Sequence, residues 1–266
     1  MVEIHPTAIV DKGATLGEGV KIGPYSIVGG DVTIGDGGEL QSHVIVQGRT
    51  TIGVNVRIFP FAAVGLPPQD LKFSGEDVQL IVGDNVIIRE HATLHPGTAT
   101  GGMVTRVGDN CLLMVGCHIA HDCTIGNHVI LANNAAMGGH VEIQDHAILG
   151  GMVAMQQFVR IGRHAMIGGA AAVENDVIPY GSVKGNRAYL NGLNIVGLKR
   201  RGFSRDDINT LRAAYRMLFA TEGTLQQRLQ DVDATYSGNE QVKEIVEFIR
   251  ADSSRALCQP NTTHGN

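Results

Sequence analysis

The chain has 266 residues, of which 43% are hydrophobic and only 5% aromatic, with 35 Gly and no Trp. Its formal net charge of −5 gives no general basis for binding nucleic acid or an anionic membrane. No cationic start leads into an apolar run and no stretch has transmembrane length, so neither a signal peptide nor a span is expected and the cytoplasm is the default location.

From the N-terminus, every sixth residue is aliphatic: Ile4, Val10, Leu16, Ile22, Val28, Ile34, Leu40, Val46, Ile52, Ile58 and Val64. The beat returns at Val82, Ile88 and Leu94, then runs from Val107 through Ile119, Ile125, Met137 and Ile161 to Val173. A small or β-branched residue follows four places later, as at Ala8, Ser26, Ala92 and Ala135. Neither an amphipathic helix nor simple strand alternation has this period. It marks a hexapeptide β-helix, in which three short strands and three turns make one triangular coil. The large residue fills a flat side of the prism, the small one fits near a corner, and stacked coils share one apolar core. Cys111, Cys117 and Cys123 occupy the small inward slot, so they read as core rather than as metal ligands, and Cys258 falls in a polar C-terminal stretch.

The beat breaks twice. One insertion lies between Val64 and Val82 and contains Gln69-Asp-Leu-Lys72; a shorter one lies between Leu94 and Val107. Counting hexapeptides puts both at the same corner of the prism, after strands of one side, which we call the first. Loops on a rigid scaffold are where function concentrates. Residues one coil apart stack, so His121, Gly139 and Gln157 form one column at that corner and Asp122 and His140 the next, with His95 one coil below Ala120 and His118 expected at the preceding turn. Several imidazoles beside a carboxylate suit proton transfer near neutral pH. The Gly138-Gly139 amides offer an oxyanion site. With no Ser or Cys in the cluster, the chemistry points to acyl transfer by direct attack with a general base.

After Val177 the beat ends. Ser204 is placed to cap a helix with Asp206 and Asp207 in its first turn, and Ile208, Leu211, Tyr215 and Leu218 give its apolar stripe. Leu225, Leu229 and Val232 predict a second helix, and Val242, Ile245, Val246 and Ile249 a third. The resulting division is a β-helix over 1–186, an α-helical domain over 187–253, and a flexible tail over 254–266. The basic run Lys199-Arg200-Arg201, with Arg205 nearby, reads as a docking patch for phosphate or an acidic partner.

The strings His118-Ile-Ala-His-Asp-Cys123, Gln69-Asp-Leu-Lys72, Ile148-Leu-Gly-Gly-Met152 and Gly197-Leu-Lys-Arg-Arg-Gly-Phe-Ser204 closely resemble the acyl-carrier-protein:UDP-N-acetylglucosamine O-acyltransferase family, over essentially residues 1–250. The resemblance implies an all-β solenoid, a left-handed parallel β-helix of hexapeptide repeats with a small α-helical C-terminal domain, assembled as a homotrimer with clefts between subunits. It implies transfer of an (R)-3-hydroxyacyl group from acyl-carrier protein to the 3-hydroxyl of UDP-N-acetylglucosamine, the first step of lipid A biosynthesis. No cofactor is implied, because phosphopantetheine arrives on the carrier protein, and no metal.

Carried over by position, the resemblance makes His121 the general base, Asp122 its partner and Gly139 the oxyanion donor. Asp70, Lys72, His95, His118, His140 and Gln157 would hold the nucleotide sugar or the acyl phosphopantetheine, and Gly169 would leave room for the acyl chain. Asn194, Arg200 and Arg201 would form the far wall of the cleft; the charge of the basic cluster, rather than the resemblance, points Arg200, Arg201 and Arg205 toward an acidic carrier protein. Gln156, Pro96 and Val196 depart from the family pattern, where His, Arg and Glu are expected. A 3-amino-sugar acceptor, a zinc carbonic anhydrase of the same fold and a purely structural β-helix are the alternatives.

Overall fold

The computed structural model describes residues 1–261. Among these residues, twenty-eight short strands fall into three sheets of nine, eight and eleven strands. The first sheet holds Ile9–Val10 and its stacked successors, the second Thr15–Leu16 and its successors, the third Glu3–Ile4 and its successors. Pairing is parallel and in step: Ile9↔Ile27 and Ile27↔Ile45 in the first sheet, Lys21↔Glu39 in the third. This is the left-handed parallel β-helix that the repeat and the resemblance implied.

In each two-residue strand of the central coils the first side chain faces outward and the second is buried. The six-residue beat and the small residues between its beats thus form one continuous core, including Ile22, Val46, Leu94, Ile119 and Leu149, all at most 2% exposed. Corners take left-handed backbone, at Asn55, Asn85 and Asn134 but also at Asp122, His140 and Phe158, with φ from 56° to 67°. Asn, Asp and His enter this region more readily than β-branched residues do. Cys111, Cys117 and Cys123 are buried free thiols, pushed up by burial to about 11, 12 and 12.

The third sheet continues past residue 186 through the antiparallel hairpin Gly181–Lys184 and Tyr189–Leu193, so the helices begin only after it. They are α1 (Ile195–Arg200), α2 (Arg205–Leu218), α3 (Leu225–Thr235) and α4 (Glu240–Arg250). α2 opens with the expected cap, Ser204 and Asp207 exchanging hydrogen bonds in a capping box, and packs on Tyr189–Leu193. α1 was absent from the sequence reading because six residues are too few to show a stripe.

The expectation of a flexible tail from residue 254 is corrected over the described residues. Ser253 Oγ donates to Asp176 Oδ2 at 2.7 Å, Cys258 N–H donates to Asp176 O at 2.8 Å, and Leu257 and Pro260 bridge to Asp176 and Leu190. Cys258 is 1% exposed, not part of a polar surface. The segment is polar in composition, yet it completes the pairing of Asp176 and Leu190 at the end of the coil. Residues 262–266 lie outside the described residues. Among the described residues, no helix is long and apolar enough to cross a membrane.

Candidate active site

Both insertions leave the coil between the first and second sheets, as the count predicted: one joins Ala63–Val64 to Gln79–Val82, the other Thr93–Leu94 to Val104–Val107. Between them and the coils above lie His95, His118, His121, Asp122 and His140. His118 stands on a strand of the first sheet, paired with Thr93 and Ala136, rather than at the preceding turn.

His121 is 8% exposed, and its Nδ1 lies 2.8 Å from Asp122 Oδ2. An ionised carboxylate only accepts, so Nδ1 carries the proton and Nε2 is left with its lone pair. Asp122 is the more buried partner, its side chain 2% exposed. Burial raises its pKa, but hydrogen bonds from the Thr98 hydroxyl, His121 and the Thr98 amide together hold it below the usual carboxylate range. The dyad therefore keeps Asp122 anionic near neutral pH. Asp122 N–H donates to Thr105 Oγ1 at 2.8 Å, which fixes the turn from beneath.

Gly139 lies directly against the His121 ring: a Cβ there would sit 2.6 Å from Nε2. The two glycine amides divide their work. Gly138 N–H donates to Met155 O at 3.0 Å, whereas Gly139 N–H has no partner among the described residues, although Gly139 is buried. Of the two amides, Gly139 N–H is thus the one left to donate to a bound group. His140 meets His121 edge-on at 5.1 Å and stacks on Phe158 at 4.4 Å. Burial lowers its pKa against the pull of Asp122, and Asp70 of the first insertion is near enough to add a smaller upward effect. His118 is also lowered, by burial and then by its imidazole neighbours, and its Nδ1 is 2.7 Å from Thr93 Oγ1. His95 Nδ1–H donates to Leu66 O at 3.0 Å, leaving a buried Nε2 acceptor with no partner.

Asp70 accepts the Lys72 N–H in a local turn that holds Lys72 exposed. Gln157 is exposed one coil above Gly139, and its carbonyl accepts from Arg255 of the docked C-terminal segment. Gly169 sits across the first sheet, at the corner leading from the third sheet. His121, Asp122 and His140 offer ligand atoms within 4.8 Å of one another, but Asp122 Oδ2 already receives both Thr98 Oγ1–H and His121 Nδ1–H, so a cation would have to displace the dyad.

Asn194, Arg200 and Arg201 stand elsewhere. They line a cavity of about 630 Å³ over the third sheet, with Ile148, Met166 and Val196, on the side of the prism opposite the histidine corner. Asn194 caps α1 through Oδ1 and donates Nδ2 to His164 O at 2.9 Å; Arg201 Nη2 donates to His146 O at 2.9 Å. One chain does not bring these residues to its own His121.

The sequence reading missed Thr98 and Thr105, whose hydroxyls become informative only once their partners are known. It also missed Arg212 and Arg216, which share one face of α2 with Arg205, within about 40° at helical spacing. That signal was legible. Residues 191–220 hold six Lys and Arg against two Asp in a chain of net charge −5.

Residues 176–258 match the family model described as UDP N-acetylglucosamine O-acyltransferase, domain 2, and residues 13–48 and 105–139 match the bacterial transferase hexapeptide model. The chain is 58% identical over 203 residues to an acyl-[acyl-carrier-protein]–UDP-N-acetylglucosamine O-acyltransferase of Caulobacter vibrioides, covering 76% of this chain and 77% of that protein. It is 50% identical to the protein of the same name from Aliarcobacter butzleri, over 94% of this chain and 95% of the other. The crystal structure of Francisella novicida UDP-N-acetylglucosamine acyltransferase superposes with a TM-score of 0.94 at 37% identity, covering 98% of this chain and 95% of that one.

Proposed function

The chain belongs to the acyl-[acyl-carrier-protein]–UDP-N-acetylglucosamine O-acyltransferase family, and from that premise we propose how it carries out acyl transfer from acyl-carrier protein to UDP-N-acetylglucosamine for lipid A synthesis. In this reading His121 Nε2 takes the proton of the sugar 3-hydroxyl as its oxygen attacks the thioester carbonyl of an (R)-3-hydroxyacyl carrier protein. The tetrahedral oxyanion is held by Gly139 N–H. Collapse expels the phosphopantetheine thiolate, which takes the proton back from His121. Asp122 holds the tautomer and stabilises the imidazolium, and no acyl-enzyme forms. This is the first step of lipid A synthesis and needs no resident cofactor. The reading places the enzyme in the cytoplasm.

One observation carries the mechanism: the buried, anionic Asp122 on Nδ1 leaves Nε2 of His121 as a lone-pair base beside a Gly139 amide that is unpartnered among the described residues. A second supports an acyl substrate. Above His118 the outward column of the first sheet reads Ala136, Ala154 and Ala172. Three strand spacings make a smooth apolar track of about 14 Å, ending beside the coil that carries Gly169. Asn194, Arg200 and Arg201 face the other way, so a second copy is required to bring their cavity to this corner. A homotrimer with clefts between subunits satisfies that requirement.

The test is product analysis by mass spectrometry with UDP-N-acetylglucosamine and mixed acyl-carrier proteins, for the wild type and His121→Ala. Loss of base catalysis is worth about 10² to 10⁴-fold, so the variant should fall at least about 100-fold in kcat while remaining folded. Activity within tenfold of wild type rules out the role of His121; in a competition between UDP-N-acetylglucosamine and its 3-amino analogue, preference for the analogue overturns the acceptor assignment.

A further inference from the structure

The second insertion contributes more than a wall. Thr98 is 3% exposed and meets the Asp122 carboxylate twice: its Oγ1–H donates to Oδ2 at 2.6 Å and its N–H donates to Oδ1 at 3.0 Å. Its single hydroxyl proton is spent on Asp122, so in the Thr98–Thr100 contact at 3.3 Å the Thr100 hydroxyl is the donor. Asp122 Oδ2 receives Thr98 from one side and His121 Nδ1–H from another, giving an ordered chain Thr100, Thr98, Asp122, His121. Gly101 crosses over the same carboxylate so closely that any Cβ would collide with it.

An aspartate χ2 torsion is broad and roughly two-fold, so one imidazole bond does not fix the carboxylate plane. Asp122 also sits at a corner, with φ of 59°, where without a cover its side chain would meet water. Two bonds from Thr98 fix the plane, and the backbone of Gly101 excludes solvent. We propose that the 95–103 insertion is a positioning element for the His121–Asp122 pair, and that Thr98 is the residue through which it acts. The inference rests on the reading of His121 as general base.

Thr98→Val removes the hydroxyl while keeping the amide donor and the side-chain shape. Misplacement of a reacting group by an ångström costs up to about 10²-fold, so kcat should fall roughly 10- to 100-fold while both KM values stay within about twofold. Thr98→Ser should recover activity to within about threefold of wild type. Loss of the donor also strengthens the pull of Asp122 on the imidazolium, so the acid limb of kcat/KM should move to higher pH. The other titratable groups facing the pair are His118, His140 and Asp70. They are unchanged in the variant, and a purely structural role would leave the limb where it was. On an Asp122→Asn background, Thr98→Val should cost less than about twofold more, because the two act as a unit.

The proposal is overturned if Thr98→Val stays within twofold of wild type with an unmoved limb, if it changes only a KM, or if its loss multiplies fully with that of Asp122→Asn. Should Thr98→Val not fold, imidazole ¹⁵N shifts of His121 in Thr98→Ala give the same decision without turnover: a changed Nδ1 shift supports the role and an unchanged one removes it. A failure of His121 as base would register separately, in His121→Ala.

Discussion

Gly139→Ala tests the geometry of the site more sharply than removing a catalytic side chain, because it adds one methyl group and removes nothing. The added Cβ would stand 2.4 Å from His121 Cε1, 2.6 Å from Nε2 and 2.9 Å from Nδ1. Ordinary van der Waals contact starts near 3.4 Å, so the imidazole must retreat by about 1 Å. It has no free direction for this, since Nδ1 is tied to Asp122 at 2.8 Å and the Asp122 carboxylate is itself pinned by Thr98. The backbone amide survives the substitution and Gly139 is not among the glycines with positive φ, so the proposed oxyanion donor and the chain path are retained. The loss isolates the position of the base, and a displacement approaching an ångström predicts a fall in kcat of about 10²-fold. A steady-state assay with acyl-carrier protein and nucleotide sugar measures it; both KM values should be close to wild type, and a thermal melt run beside it should show a lowered melting temperature that still lies above the assay temperature. Activity within threefold of wild type, or a structure of the variant with the His121 ring unmoved, would refute the placement of Gly139 against the base.

Arg205, Arg212 and Arg216 form an exposed stripe on α2, and a charge reversal at Arg212 and Arg216 should raise the KM for the acidic carrier protein by about tenfold, flatten the salt dependence of kcat/KM and leave the nucleotide-sugar KM unchanged. A rise in the nucleotide-sugar KM instead would assign these arginines to phosphate. His164 is 7% exposed, stacked between His146 and Tyr180, and burial followed by the cations around it lowers its pKa to about 4. The unfolded chain, with a His pKa of about 6.5, takes the proton first. Its contribution to stability is therefore complete above that value, declines as the pH falls from there toward 4, and levels below. Denaturant titrations between pH 7.5 and 4.5 should show a shallower decline for His164→Phe than for wild type; equal slopes would reject the assignment.

The repeat was legible because a β-helix turns sequence distance into spatial distance by a fixed rule. Residues one coil apart become neighbours, so the columns His121–Gly139–Gln157 and Asp122–His140 and the shared corner of both insertions follow from counting alone. The caps of α2 and α3 are equally local: each is a Ser or Thr with an acceptor side chain three residues on. Tertiary structure decided whatever the period does not govern. Inside the 95–103 insertion there is no register to count, so only folding brings Thr98 onto Asp122, twenty-four residues away, and leaves Gly139 rather than Gly138 with an amide free among the described residues. The docking of Ser253–Pro260 was hidden for a similar reason, because its polar composition suits solvent while its partners are Asp176 and Leu190 at the far end of the coil. Asn194, Arg200 and Arg201 are close in sequence to the end of the prism, yet the hairpin before them turns the chain onto the third sheet, away from its own His121. A six-residue period fixes which side of the prism each strand occupies; where a non-repeating segment returns is set by the hydrogen bonds and apolar surface it finds there.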